Sequence, residues 1–143
     1  MNARWRPNER LRNKKRFDEL FRRGKTLGVG PIRFFYRLYP AVATYPRVSA
    51  GFVVPKKKIK KAVHRNRLKR RMREAFRLQK SEIYAHLPKN TAVDLVWLYR
   101  DVAVAEYHVV CAAVAKSISK LREASERYSP TLKEVDIRHD FNT

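Results

Sequence analysis

The sequence predicts a single α+β domain whose elements run α, β, β, β, α, β, α and pack as one sandwich. Two observations lead there. The chain has 143 residues of which 44% are hydrophobic, enough for one modest core and too apolar for a disordered chain. Apolar residues recur at helical spacing in three stretches, and runs with strand character separate them.

In chain order, residues 1–12 are basic, contain Pro7 and read as a flexible arm. Asn13 is placed to cap a helix running to about Arg23, with Gly24 at its C′ position. Phe17, Leu20 and Phe21 share a face of that helix. A short strand is expected near residues 26–29. Residues 32–39 alternate: Ile32, Phe34, Tyr36 and Leu38 on one side, Arg33, Phe35 and Arg37 on the other. Residues 41–46 read as a loop, and residues 47–54 as a strand stopped by Pro55, which cannot donate to a ladder. A long helix is expected over about residues 61–80, with Ser81, Tyr84 and Pro88 ending it. Residues 90–100 hold a strand whose segment 93–99 is apolar enough to be central. The last helix covers about residues 105–124, with Tyr107, Val110, Cys111, Val114, Ile118 and Leu121 as its stripe. The domain is therefore set at residues 13–124, followed by a polar tail over 125–143.

Charge narrows the function. Lys and Arg total 34 against 13 acids, a net +21. A compact body so charged repels itself, and a polyanion is its natural partner. Nucleic acid fits best, because each neutralised phosphate releases condensed counterions. A membrane surface would need a basic amphipathic helix with a greasy face left over from the fold. No apolar run approaches the ~20 residues of a membrane span, and the N-terminus lacks the apolar region of a secretory signal. The lone Cys111 excludes an internal disulfide and a cysteine-rich zinc site, and reads as a small core residue in a reducing cytoplasm. His64, His86, His108 and His139 are scattered, and Asp94 and Asp101 have no second carboxylate at useful spacing. A nuclease site of the chain's own is not expected.

The strongest feature is residues 56–77, which hold 12 basic residues and a single acid, Glu74. Leu68, Met72, Ala75, Phe76 and Gln79 fall on one helical face. Asn66, Arg70, Arg73 and Arg77 fall on the opposite one. Like charges at these spacings destabilise an isolated helix by roughly 0.2–0.5 kcal/mol per pair, which a polyanion would offset. Arginine suits that task, since its planar fork grips a phosphate with two hydrogen bonds. Asn66 is suited to a base edge or a 2′-hydroxyl.

The run Arg65-Asn66-Arg67-Leu68-Lys69-Arg70-Arg71-Met72-Arg73-Glu74 closely resembles the RNR helix of bacterial ribonuclease P proteins. The approach Gly51-Phe52-Val53-Val54-Pro55-Lys56-Lys57 resembles the family strand that ends in a lysine pair. Phe17 and Phe21 before Gly24 resemble its first helix, and residues 94–100 its last strand. The resemblance covers roughly residues 10–122. It departs at Pro55, where small residues are usual, in a longer loop over 41–46, and in the acid-containing tail.

The resemblance implies a fold similar to the second domain of ribosomal protein S5, with the RNR helix in a left-handed crossover that the general rule would have made right-handed. It implies the protein subunit of a ribonuclease P, an endoribonuclease whose catalyst is RNA and whose product is the mature 5′ end of tRNA. Partners are then the catalytic RNA and precursor tRNA, with no DNA and no membrane. The cofactor is Mg2+ bound mainly by the RNA, and the location is cytoplasmic. By position, Lys56, Lys57, Lys61, Arg65, Asn66, Arg67, Lys69, Arg70 and Arg73 would contact the catalytic RNA. Phe17, Phe21, Arg33, Phe35 and Arg37 would line the cleft for the 5′ leader. Spacing alone makes Phe17 and Phe21 core residues. Phe35, between two arginines on a strand's polar face, is less naturally so. No catalytic or metal-binding residue of the chain itself is implied. Two rivals remain. A basic-zipper DNA helix lacks the leucine heptads that should follow. A ribosomal-type structural RNA-binding protein shares the charge and is separated only by the RNR run.

Overall fold

The computed structural model describes residues 6–41 and 46–128. A single 3₁₀ turn at Pro7–Glu9 precedes helix α1 (Lys14–Arg23) and strands β1 (Lys25–Val29), β2 (Ile32–Pro40) and β3 (Val48–Val53). Helix α2 (Ala62–His86), strand β4 (Thr91–Tyr99) and helix α3 (Tyr107–Arg127) follow. The α+β order expected from the sequence is present throughout.

The four strands form one sheet in the order β1-β2-β4-β3. β4 runs antiparallel to β2 and parallel to β3. Its unbroken apolar character follows from cover on both faces. Val93, Leu95, Trp97 and Tyr99 join the larger core with Leu68, Met72 and Phe76 of α2 and Val110, Val114 and Leu121 of α3. Val96 points the other way, to Leu11 and to Leu20 of α1. Trp97 centres the larger core, with ring centroids 5.1 Å from Phe34 and 5.5 Å from both Phe52 and Phe76. Its indole N–H donates to Ser117 Oγ at 2.8 Å, so burial leaves no orphan donor.

Local chemistry explains the boundaries. Asn13 Oδ1 accepts from Lys15 N at 2.8 Å and starts α1. Gly30, at φ 52°, supplies the positive dihedral that the two-residue turn between Val29 and Ile32 demands. Gly24 ends α1 but not in the left-handed conformation expected of a C′ glycine. Its backbone is extended, and a Cβ there would lie 2.4 Å from Leu20 O, so close approach is what requires it.

Three further expectations are corrected. Helix α2 runs beyond residue 80 to His86, because Ile83 and then Leu87 prolong its buried stripe past Ser81 and Tyr84. Helix α3 extends to Arg127. Ser125, assigned to the tail, is buried in its last turn and donates to Leu121 O at 2.8 Å. The tail over 129–143 and loop residues 42–45 lie outside the described residues. Residues 6–12, read as a flexible arm, are built into the fold. Arg10 bridges Ala50 beside β3, and Leu11 N donates to Ala50 O at 3.0 Å. Glu9 is buried against α2, where it accepts from Lys80 Nζ at 2.8 Å and from Tyr84 Oη at 2.5 Å. The segment covers an edge that β3 would otherwise expose.

Candidate nucleic-acid interface

Helix α2 separates its two faces cleanly. Leu68, Met72, Ala75 and Phe76 are fully buried, while Asn66, Arg67, Lys69, Arg70 and Arg73 are exposed. Lys56 and Lys57 sit exposed in the turn after β3, which Lys58 N and Ile59 N close by donating to Pro55 O, both at 3.1 Å. Lys61 is exposed at the N-cap of α2, and no side chain caps that end.

Not every cation of the run faces solvent. Arg65 is half-buried, and its Nη1 donates to Ile59 O at 3.0 Å and Lys60 O at 2.6 Å. Arg71 reaches across to Ala105 O. Arg77 is spent on Glu74, with two hydrogen bonds of 2.9 and 2.6 Å. Those bonds hold the Glu74 carboxyl below its usual range and raise the Arg77 guanidinium. The acid in the run is thus engaged mainly by Arg77, with the charge of neighbouring Arg73 also acting on it, while Asn66, Arg70 and Arg73 remain exposed.

Lys80 escaped the sequence reading. It falls four residues after Phe76 on the apolar stripe and is 2% exposed, paired with Glu9. Burial would raise the Glu9 carboxyl. Hydrogen bonds from Lys80, Tyr84 and the Arg6 N–H outweigh that, and the group is held below its ordinary value. Burial and the hydrogen bond to Glu9 push the Tyr84 hydroxyl strongly upward.

The second group lies on the α1 face of the sheet. Phe17, Phe21 and Phe35 come together, with Phe17 and Phe21 centroids 6.1 Å apart and Phe21 and Phe35 edge-to-face at 4.9 Å. Phe21 is 41% exposed, while Phe17 and Phe35 are half-buried. Phe17 rests on Gly51, where a Cβ would meet its Cζ at 2.9 Å. The aromatic cluster is thus part core and part surface, which neither reading alone anticipated. Arg33 is held by Thr26 Oγ1 at 3.2 Å. Arg37 leans on Glu19 at 3.5 Å, a carboxylate that Arg23 also approaches at 3.0 Å, so its charge is partly offset. α1 is fixed over the sheet by Arg16, whose guanidinium bonds both oxygens of Asp94, and Tyr39 Oη donates to the same carboxylate at 2.9 Å.

Arg100 was missed. It follows β4 and shares the face of Leu98, and its Nε donates to Gly30 O at 3.0 Å. Its guanidinium lies over Gly28, the cross-strand partner of Arg33, where a Cβ would come within 2.6 Å. Alternation along β4 was the available signal, since Arg100 is two residues past Leu98.

Among the described residues, no group of three or more His, Cys, Asp or Glu side chains could hold a metal ion. No helix among them is long and apolar enough to cross a membrane. The arrangement offers a row of cations on a rigid helix and an aromatic surface flanked by arginines.

The chain is 48% identical over 61 residues to the ribonuclease P protein component of Chromohalobacter salexigens, covering 43% of this chain and 41% of that one. It is 36% identical over 99 residues to that of Chlorobaculum tepidum, covering 64% of each. The matches to these two thus span well under two thirds, and just under two thirds, of the relatives' own lengths. The solved RNase P protein from Thermotoga maritima superposes with a TM-score of 0.61 at 27% identity, covering 78% of this chain and 96% of that one. The Ribonuclease P family model matches residues 6–122, which include both groups of candidate residues, and the chain belongs to that family.

Proposed function

We propose that this chain is the protein subunit of a ribonuclease P, which binds the catalytic RNA and the 5′ leader of precursor tRNA and assists endonucleolytic removal of that leader. The observation that carries the reading is the two-faced helix α2: a fully buried apolar stripe opposite exposed Asn66, Arg67, Lys69, Arg70 and Arg73. A cationic row on a docked helix is rigid before binding, so little ordering entropy is lost when phosphates arrive. Lys56, Lys57 and Lys61 extend it. Arg65 contributes chiefly by holding residues 59–60 in place.

Phe17, Phe21 and Phe35 would carry the leader, with Arg33, Arg37 and Arg100 beside its phosphates. Stacking on such a surface is worth ~1–3 kcal/mol per base and tolerates any sequence, because every base has a flat face. That suits a leader whose sequence varies between tRNAs.

Catalysis would reside in the RNA. Asp94 is committed to Arg16 and Tyr39, Glu9 to Lys80 and Tyr84, and Glu74 to Arg77. These residues do not fit a magnesium site, so Mg2+ in the working complex would be bound mainly by the RNA. A cytoplasmic location goes with this reading. Reconstitution tests it: the protein, a bacterial ribonuclease P RNA and a precursor tRNA are mixed at low magnesium. Cleavage at the mature 5′ end only with both components is expected. Tight, salt-sensitive RNA binding without stimulation would favour a ribosomal-type structural role instead. Cleavage by protein alone would contradict an RNA catalyst.

A further inference from the structure

Beyond the exposed face of α2, the basic surface continues into a cavity of about 370 Å³ between residues 57–64 and the loop after β4. Its lining is unusual for a solvated charged surface. Lys57, Lys58, Lys60 and Lys61 surround it, yet Ile59, Val102 and Val104 form its apolar part, and His64 stands beside them. Ile59 is 3% exposed and closes the floor, whereas Val102 is 71% exposed.

Both walls are held in shape. Arg65 bonds Ile59 O and Lys60 O on one side. On the other, Arg71 bonds Ala105 O, Ala105 N donates to Tyr99 Oη at 2.9 Å, and Val102 N donates to Asp101 Oδ1 at 2.7 Å. Two arginines of the basic helix thus brace the two loops that bound the cavity. An exposed valine on a braced loop, facing four lysines, loses apolar contact in the free protein that an apolar ligand face would restore. No side chain caps α2 at Lys61, and although His64 N donates to Lys61 O at 3.1 Å, the N–H groups of Ala62 and Val63 remain for an anion beside the same lysines.

We infer that this cavity receives one unstacked nucleotide of a folded RNA, its base against Val102, Val104 and Ile59 and its phosphate among the lysines. The volume suits a ligand of that size. The inference rests on the RNA-binding reading above and adds to it a site that distinguishes an extruded nucleotide from a continuous duplex. The loop carrying Val102 and Val104 lies outside the basic run.

The test uses the full chain and two RNA hairpins, identical except that one carries a single bulged adenosine, titrated at fixed salt. The wild-type protein should bind the bulged hairpin about tenfold more tightly, the effect expected of burying part of one base face against apolar side chains. Val102→Ser should abolish the preference without altering the melting temperature or the salt dependence, since no cation is removed. Val102→Ile should retain it. Equal wild-type affinity for the two hairpins, or a preference that survives Val102→Ser, would overturn the inference. Inorganic phosphate competing equally with both hairpins, with no bulge preference, would mark an anion site only and would also overturn it. Absence of salt-sensitive binding to either hairpin would instead bring down the RNA-binding reading itself, and this inference with it.

Discussion

Replacing Lys80 with Met tests the clasp between the N-terminal segment and α2. Lys80 Nζ and Glu9 Oε1 are 2.8 Å apart, and both side chains are under 5% exposed. Removing one partner of such a pair strands the other charge and costs about 3–5 kcal/mol. For a domain of this size that lowers the Tm by roughly 10–20 °C. The pH dependence is the sharper readout. In the native protein Glu9 is held below its ordinary value of 4.5. Its contribution is therefore fully present above that pH and is lost as pH falls through the lower folded value. In Lys80→Met the burial that raises the carboxyl remains, while the hydrogen bond and charge of Lys80 are gone. The carboxyl should move up, though Tyr84 and the Arg6 N–H still donate to it, so the variant lacks much of the stabilisation that ionised Glu9 gives the native protein above that pH. The gap between the two proteins should be widest near neutrality and narrow toward about pH 4. Urea denaturation across that range measures it. A gap that stays constant with pH, or one below about 1 kcal/mol at pH 7, would refute the reasoning. Glu9→Met combined with Lys80→Met should recover most of the loss, because apolar replacement of a buried pair is often neutral.

Other variants separate binding from folding. Arg70→Glu or Arg73→Glu should weaken affinity for the catalytic RNA while changing stability by no more than about 0.5 kcal/mol, since both residues are exposed. A filter-binding titration beside a melting curve checks both. Arg65→Ala should lower stability as well as affinity, by about 1–2 kcal/mol, because the carbonyls of Ile59 and Lys60 lose their donor. Phe35→Ala should impair cleavage of leader-bearing precursor roughly tenfold and spare substrate lacking a leader. Equal effects on both substrates would count against the leader surface. Gly51→Val should behave like a Phe17 variant, since its side chain would occupy the place of the Phe17 ring, at a stability cost of about 1–3 kcal/mol.

The pattern of apolar residues was enough to place the three α-helices and four strands, because most of them bury one face and show its period, while β4, covered on both faces, shows an unbroken apolar run. Boundaries were less legible. Ser81 and Tyr84 look like terminators of α2, but Ile83 and Leu87 continue its stripe and tertiary burial outweighs local preference. The docked segment at residues 6–12 was invisible for a related reason. Its only apolar anchor is Leu11, and the partner of Glu9 is a lysine 71 residues away. No periodicity reports a pair so distant. The cationic face of α2 was readable because single-signed charge opposite a clean apolar stripe is a one-helix pattern. The division of labour within it was not: Arg65 and Arg71 serve carbonyls on loops, and only coordinates reveal which carbonyls come near. Arg100 and the Val102 loop were overlooked because their neighbours, Gly28 and residues 57–64, come from distant parts of the chain.

The central place of β4 in the sheet governs the order in which the molecule can assemble. β4 hydrogen-bonds on both sides to strands made much earlier, with Tyr99 opposite Ile32 and Val93 opposite Val48. As the chain emerges during synthesis, the β1–β2 hairpin and the separate helices can form from local contacts, but no closed sheet exists until residue 99 is available. Until then the buried stripe of α2 and the apolar face of β2 have nothing between them. Pairings this distant in sequence carry a large loop-closure cost, and chains dominated by them fold slowly for their size. The interval before β4 docks is accordingly when this protein is most exposed to aggregation and to proteases.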